Sequence, residues 1–312
     1  MQSRREFGKQ ALGGLALASL PLANLNAAKV DSTFSGVKLG LITGSLNPLP
    51  ADKDPIDAIV DQCLQIGAAN IELVNLLEPR LVGAVGFSHP PSPLTPEYEK
   101  SREAVRQWRL TTPIDRFHAI RKKFDAAGLN LFSYVMTFDL DFTPAEVDAV
   151  FKQMQALKVT CFCTNQSRVD VGPMLVPYVE KYKIKAAWHP HALVKDPNEV
   201  ATPESMEKLL ALSKHFAVNL DIGHFTAGNN DAVAFLKAHH ERITHIHIKD
   251  RKRDAGPNVA LGTGDTPITE CLRLIRDNKY PIYGIIEREF RGPGTPAAET
   301  KAQMDYLKTL LA

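Results

Sequence analysis

Eight short runs rich in β-branched and apolar residues recur along this chain, and most are followed by a longer pattern of helical period. The runs are Val37–Ile42, Ile71–Val74, Asn130–Met136, Val159–Cys163, Ile184–Trp188, Ala217–Asp221, Ile243–Ile248 and Ile282–Glu287. Between and after them lie Pro55–Ile66, Pro113–Ala127, Pro144–Leu157, Pro203–Lys214, Ala232–His240, Ile268–Asp277 and Ala297–Leu311. The first of these helical patterns carries apolar residues at Ile56, Ile59, Val60, Cys63 and Leu64, one face of a 3.6-residue repeat. Several begin at Pro or Thr-Pro, where a missing N–H and a fixed φ suit a first helical turn. Strands alternating with crossover helices predict a parallel sheet. Eight such units, in about 280 residues after the leader discussed below, favour a closed (β/α)8 TIM barrel over an open doubly wound sheet. No G-x-G-x-x-G follows the first run, so a dinucleotide site has no support.

One stretch breaks the alternation. Residues 78–112 hold Pro79, Pro90, Pro91, Pro93 and Pro96, then an amphipathic segment with Trp108. That is too long for an ordinary strand-to-helix loop. Following the second strand, it is expected on the face where strand C-termini converge, as a lid or specificity loop.

The N-terminus reads as an address and not as part of the fold. Ser3-Arg4-Arg5-Glu6-Phe7 precedes a short apolar run and small residues near Ala27 and Ala28. This predicts a twin-arginine signal over 1–28, a mature domain over 29–312, the export machinery as a partner and a periplasmic location. The apolar run is too short for a stable transmembrane helix. The leader holds Arg4, Arg5 and Lys9 against Glu6, so its removal takes the formal charge of +2 to about zero. A neutral chain lacks the basic surplus of a nucleic-acid binder, and no aromatic stacking platform is evident. Cys63, Cys161, Cys163 and Cys271 follow neither a zinc pattern nor a disulfide framework and read as buried thiols. No G-x-S-x-G elbow is present.

Four C-terminal strand runs end in metal-ligand residue types. They are A-A-W-H-P-H with His189 and His191, N-L-D-I-G-H with Asp221 and His224, H-I-H-I-K-D with His245 and His247, and G-I-I-E-R-E with Glu287 and Glu289. In a parallel barrel these ends meet on one face, gathering imidazoles and carboxylates around one point. His245, His247 and Lys249 alternate on a single strand face, which is costly to bury without a purpose.

D-I-G-H at 221–224, H-I-H-I-K-D at 245–250, L-G-T-G-D at 261–265 and Y-G-I-I-E-R-E at 283–289 together resemble the xylose isomerase-like TIM barrels. L-G-L-I-T-G and I-E-L-V, near the start of the domain, resemble them too. The resemblance implies one divalent cation (manganese, magnesium, cobalt or zinc) held by residues of strands five to eight. Here these are His189, Asp221, His247 and Glu287. It implies substrate contacts from Glu72, His224 and Lys249. Members of that family commonly carry Glu-Asn-His where this chain has His189-Pro190-His191, so one of the family's two acid/base glutamates is replaced by an imidazole.

The expected chemistry is proton abstraction next to a carbonyl of a sugar or keto-sugar, leading to isomerisation, epimerisation or β-elimination. Glu287 is the expected base, with His191 or His189 as the partner acid/base. Two other readings stand beside it: a non-catalytic carbohydrate-binding barrel, and an endonuclease IV-like phosphodiesterase, which the early strand ends, lacking histidine, do not favour. Barrels of this kind often form homo-oligomers.

Overall fold

All eight expected strands form, and each lies parallel to both of its neighbours in a closed ring. The computed structural model describes residues 30–82, 84, 91–164 and 167–312. The expected leader over 1–28 lies outside the described residues, as do 83 and 85–90 of the proline-rich insertion. The strands are β1 (Val37–Ile42), β2 (Asn70–Val74), β3 (Asn130–Val135), β4 (Cys161–Cys163), β5 (Lys185–Trp188), β6 (Phe216–Asp221), β7 (Ile243–Ile248) and β8 (Tyr283–Ile286). Each pairs with the next in sequence, and β8 closes onto β1 through Tyr283 opposite Lys38 and Ile286 opposite Leu41. Below β1, the two-residue strand Thr33–Phe34 pairs antiparallel with it. Ser32 is buried there, donating to the Leu39 carbonyl and accepting from the Ala69 amide.

The helices are α1 (Pro55–Ile66), α2 (Pro96–Thr111), α3 (Asp115–Ala126), α4 (Pro144–Ala156), α5 (Gly172–Tyr182), α6 (Pro203–Leu210), α7 (Ile222–Ala227), α8 (Ala232–His239), α9 (Ile268–Asp277) and α10 (Pro296–Leu311). The Pro starts of α1, α4 and α6 form as expected, but the expected Thr112-Pro113 start does not, since Thr112 caps the end of α2 and α3 begins at Asp115 without a side-chain cap. The side chains of Asp54, Thr95, Thr143, Thr202 and Thr295 each accept a backbone N–H from the first turn behind them. In α9, Ile268, Cys271, Leu272 and Ile275 are buried, a clean i, i+3, i+4, i+7 stripe against the barrel. All four cysteines are free and buried. Phe151 of α4 is fully buried and touches the rings of Phe138, Phe162, Tyr178 and Tyr182. Such a ring contributes about 1.5–3 kcal/mol by leaving water.

Two helices depart from the sequence expectation. The helix α5 was not foreseen, because Pro177 lies inside it and interrupts the pattern. The short α7 begins directly after β6, so the strand end Asp221 is also a helix N-cap. In the insertion, α2 is anchored on α4 by buried ion pairs. Arg109 makes a two-pronged contact with Glu78, 2.7 Å on each side, and reaches Glu146 at 2.6 Å. Arg102 meets Asp141 and Glu146 at 2.8 Å each.

Candidate active site

Barrel register decides which strand residues face one another at the mouth. Asp221 of β6 lies opposite His247 of β7, and His247 lies opposite Ile285 of β8. One layer deeper, Asn219 lies opposite His245, and Glu72 of β2 opposite Ser133 of β3. His189, just past β5, completes the ring on the other side of Asp221. Its Nε2 is 3.8 Å from Asp221 Oδ2, while His247 Nδ1 is 4.0 Å from that oxygen and 2.9 Å from Glu287 Oε2. One ligand atom from each of His189, Asp221, His247 and Glu287 lies within 4.8 Å of the others.

Asp221 divides its carboxylate between two tasks. Oδ1 accepts the His224 amide at 2.6 Å and caps α7. Oδ2 is buried and accepts no hydrogen bond of good geometry, although Lys249 Nζ stands 3.0 Å away. Burial, with Glu287 beside it, pushes this carboxyl up to about 7 against the pull of Lys249 and His247. Gly223 permits the fold at this point, because a Cβ there would come 2.5 Å from Lys249 Cγ and 2.9 Å from its carbonyl oxygen.

Lys249 is 2 % exposed, and its ammonium lies 3.0 Å from Asp221, 2.9 Å from Glu287 and 3.1 Å from Glu289. Burial opposes its charge, but these carboxylates outweigh burial and hold it firmly protonated. Burial likewise opposes the Glu287 carboxylate, yet Lys249 and then His247 hold it well below the usual range. His247 carries a carboxylate on each nitrogen, Glu287 on Nδ1 and Glu72 on Nε2 at 2.7 Å. Against burial, that pair raises its pKa to about 10. His189 has no such partner. Burial, then His191 and His247 nearby, push it well below 6.5 and keep it neutral.

Glu72 was expected to hold a substrate hydroxyl. It sits instead beneath the site, fully buried, with contacts to Ser133 Oγ at 2.6 Å, His245 Nε2 at 2.9 Å and His247 Nε2 at 2.7 Å. A carboxylate behind a histidine fixes the ring and aims its other nitrogen outward. Lys249, expected beside substrate, likewise faces carboxylates. By contrast His191, His224, Glu287 and Glu289 line an open cleft of about 400 Å³, together with Ser45, Asn258 and Arg291.

A family model described as "Xylose isomerase-like TIM barrel" matches residues 174–310, which include the ends of β5 to β8. The solved 3-keto-D-glucoside 4-epimerase from E. coli superposes with a TM-score of 0.59 at 12% identity, covering 88% of this chain and 99% of that one. The fold is that of the xylose isomerase-like TIM barrels. A second barrel of this kind, the IolI protein solved with a bound zinc atom, gives 0.57 at 16% identity, covering 88% of this chain and 96% of the other. In sequence, the L-ribulose-5-phosphate 3-epimerase of Salmonella paratyphi A is 30% identical over 97 residues, 31% of this chain and 34% of its own length. The chain thus aligns with about a third of the length of the curated relatives it matches.

The xylose isomerase-like barrel also explains motifs left without a role. Asp250 Oδ2 accepts the amides of Gly262 and Gly264 at 2.9 and 2.8 Å, so it folds the L-G-T-G-D turn beside the mouth. A Cβ on Gly264 would fall 1.9 Å from Asp250 Oδ1. Glu289 accepts from Asn258 at 2.8 Å, while Arg288 turns away to bind Glu299 and the carbonyls of Ser45 and Asn47. Sequence reading missed Glu199, 2.8 Å from His191 Nδ1, and Arg251, 2.6 Å from His224 Nδ1. It also missed Asn219, whose Nδ2 lies 3.3 Å from His189 Nδ1 and 3.0 Å from His247 Nε2.

Proposed function

We propose that this chain is a divalent-metal-dependent enzyme of the sugar isomerase/epimerase type, acting by proton abstraction next to a carbonyl of a sugar or keto-sugar. The observation that carries this reading is the convergence of His189, Asp221, His247 and Glu287 from four successive strand ends onto one point. The residues suit a cation. Asp221 Oδ2 is a buried acceptor without a good donor, His189 is neutral, and an ammonium already rests between two of the carboxylates. Two nitrogens and two carboxylate oxygens are compatible with manganese, magnesium, cobalt or zinc.

His189, Asp221, His247 and Glu287 would hold the ion. When bound, it supplies Lewis-acid polarisation of two neighbouring substrate oxygens. The side chains do the rest. Glu72 orients His247, and Lys249 neutralises Asp221 and Glu287 when the site is not loaded. Glu289 and Asn258, on the cleft wall, offer partners for sugar hydroxyls. Glu287 and His191, both lining the cleft, are the acid/base groups. Because one is a carboxylate and the other an imidazole, the pair suits elimination or isomerisation at least as well as symmetric epimerisation. The epimerases that this chain resembles act on L-ribulose 5-phosphate and on a 3-keto-D-glucoside, which supports a carbonyl-bearing sugar as substrate.

The test is incubation with a panel of sugars and keto-sugars in deuterium oxide plus manganese. Deuterium next to a carbonyl is expected; none anywhere in a broad panel would refute the reading. A metal-free sugar-binding barrel is the second reading, favoured by the self-neutralisation of Lys249 with three carboxylates. Elemental analysis decides between them, since a protein that takes up no divalent ion would be the binder. Export is part of the proposal. Replacing Arg4 and Arg5 by Lys is expected to leave the chain in the cytoplasm, and unchanged secretion would count against it.

A further inference from the structure

Glu289 stands two residues past the candidate base and lines the same cleft. Its N–H donates to the Glu287 carbonyl at 3.1 Å, a three-residue turn from which Arg288 leaves toward Glu299. One ammonium, Lys249 Nζ, touches both carboxylates, Glu287 at 2.9 Å and Glu289 at 3.1 Å. The two acids therefore lie side by side on the cleft wall.

The two oxygens of Glu289 have different company. Oε2 is the one that Lys249 meets, and it also accepts Asn258 Nδ2–H at 2.8 Å. A carboxylate only accepts, so the amide of Asn258 must face it with nitrogen. Asn258 is itself placed by backbone pairing, since Asn258–Val259 runs antiparallel to Asp250–Arg251 just after β7. Oε2 is thus clamped from two sides. Oε1 accepts no hydrogen bond among the described residues, and the Glu289 side chain is 32 % exposed. Arg291, on the same cleft, makes no hydrogen bond or ion pair among the described residues either.

We propose that Glu289 is a specificity-determining residue of this cleft, its Oε1 accepting the hydrogen of one substrate hydroxyl. Asn258 and Lys249 are the positioning residues, which fix Oε2 and so leave the other oxygen for the substrate. This rests on the proton-abstraction reading above and narrows its substrate class to sugars with a free hydroxyl, neither alkylated nor phosphorylated, where they meet Glu289. An ether there has no hydrogen to give, and leaves the carboxylate oxygen without the donor it faces. A phosphate brings negative charge against a carboxylate that Asn258 and Lys249 prevent from turning away. Arg291 can donate to the oxygen of a hydroxyl whose hydrogen goes to Glu289. A phosphate could use Arg291 but not Glu289.

The experiment uses the full chain with manganese and the sugar that exchanges deuterium fastest in the panel, compared with its O-methyl and phosphate derivatives at each hydroxyl in turn. At one position O-methylation is expected to lower kcat/KM roughly 10–100-fold, and phosphorylation by at least as much. In Glu289→Gln the side-chain oxygen is expected to take over the bonds to Asn258 and Lys249, leaving the amide NH2 toward the cleft, where it can donate to an ether or phosphate oxygen. The penalty at that position, and at no other, is then expected to disappear. Asn258→Ala releases one side of Oε2 and is expected to reduce the same penalty part-way, by raising KM for the free hydroxyl more than for the ether. A merely structural Glu289 would lower the rate on all derivatives alike in both variants, which overturns the proposal. So does a phosphate ester preferred over the free hydroxyl at that position. Absence of deuterium exchange from any sugar defeats the proton-abstraction reading itself, whereas exchange with the wrong pattern of penalties defeats only the role of Glu289, so the two failures are distinguishable.

Discussion

Two buried charge clusters lie in this barrel, one between α2 and α4 and one among the ends of β6 to β8, and they are organised in opposite ways. Between the helices, Arg102 and Arg109 enclose Glu146, with Asp141 and Glu78 outside them. Each guanidinium faces carboxylates, and Glu146 is held below its usual pKa by Arg102 and Arg109 in spite of burial. Among the strand ends, Asp221, Lys249, His247, Glu287 and His224 share too few complementary partners. One carboxyl is pushed up, one imidazole is pushed up, and another imidazole meets cations on both sides. Matched charges make a cluster that only has to exist. Mismatched charges leave one ready to accept a ligand of its own.

The sharpest way to break this contrast is to neutralise one carboxylate in each cluster. Glu287→Gln is expected to slow deuterium exchange by about 10²–10⁴-fold, with the fold retained by circular dichroism. Glu146→Ala is expected to leave activity per folded molecule intact but cost roughly 3–5 kcal/mol, because two buried guanidiniums lose their shared partner. Urea unfolding measures this, and a loss below about 1 kcal/mol would mean the cluster between the helices is not the anchor described. A smaller effect belongs to the layer beneath the mouth. Glu72→Gln is expected to weaken manganese binding by about 10–100-fold, since His247 loses the carboxylate behind it; titration calorimetry would show an unchanged affinity if Glu72 only fills space.

The smallest effect is in pH. Glu146 has a folded pKa depressed below 4.5, so its contribution is fully present above about 4.5 and is lost as pH falls through the lower folded value. Below both values Glu146 is protonated and resembles glutamine. The stability gap between the unaltered chain and Glu146→Gln is therefore expected to be flat from pH 8 to 5 and to close toward pH 2. A gap that widened on acidification would contradict the sign.

The barrel was legible because strand and helix periods are local properties, and β1 and β7 even have the bounds that the sequence predicts. The ends of β5 to β8 were legible for the same reason, since topology brings successive strand ends together. What alternation does not encode is depth. The resemblance of I-E-L-V implies a substrate contact for Glu72, yet the ring register places it a layer below the mouth, opposite Ser133. Glu199 and Arg251 escaped notice for another reason. Glu199 acts across a loop on a histidine eight residues before it, Arg251 acts on one 27 residues before it with α8 and β7 between them, and no periodic signal accompanies such contacts. The helix α5 was hidden by Pro177, whose ring removes one hydrogen bond without ending the helix.

Asp221 gives one oxygen to the first turn of α7 and the other to the mouth. Whatever binds at that second oxygen therefore pulls on a carboxylate that is also holding a helix in place. Loading the site and stiffening the wall beside it become a single event, with His224 carried on that same short helix.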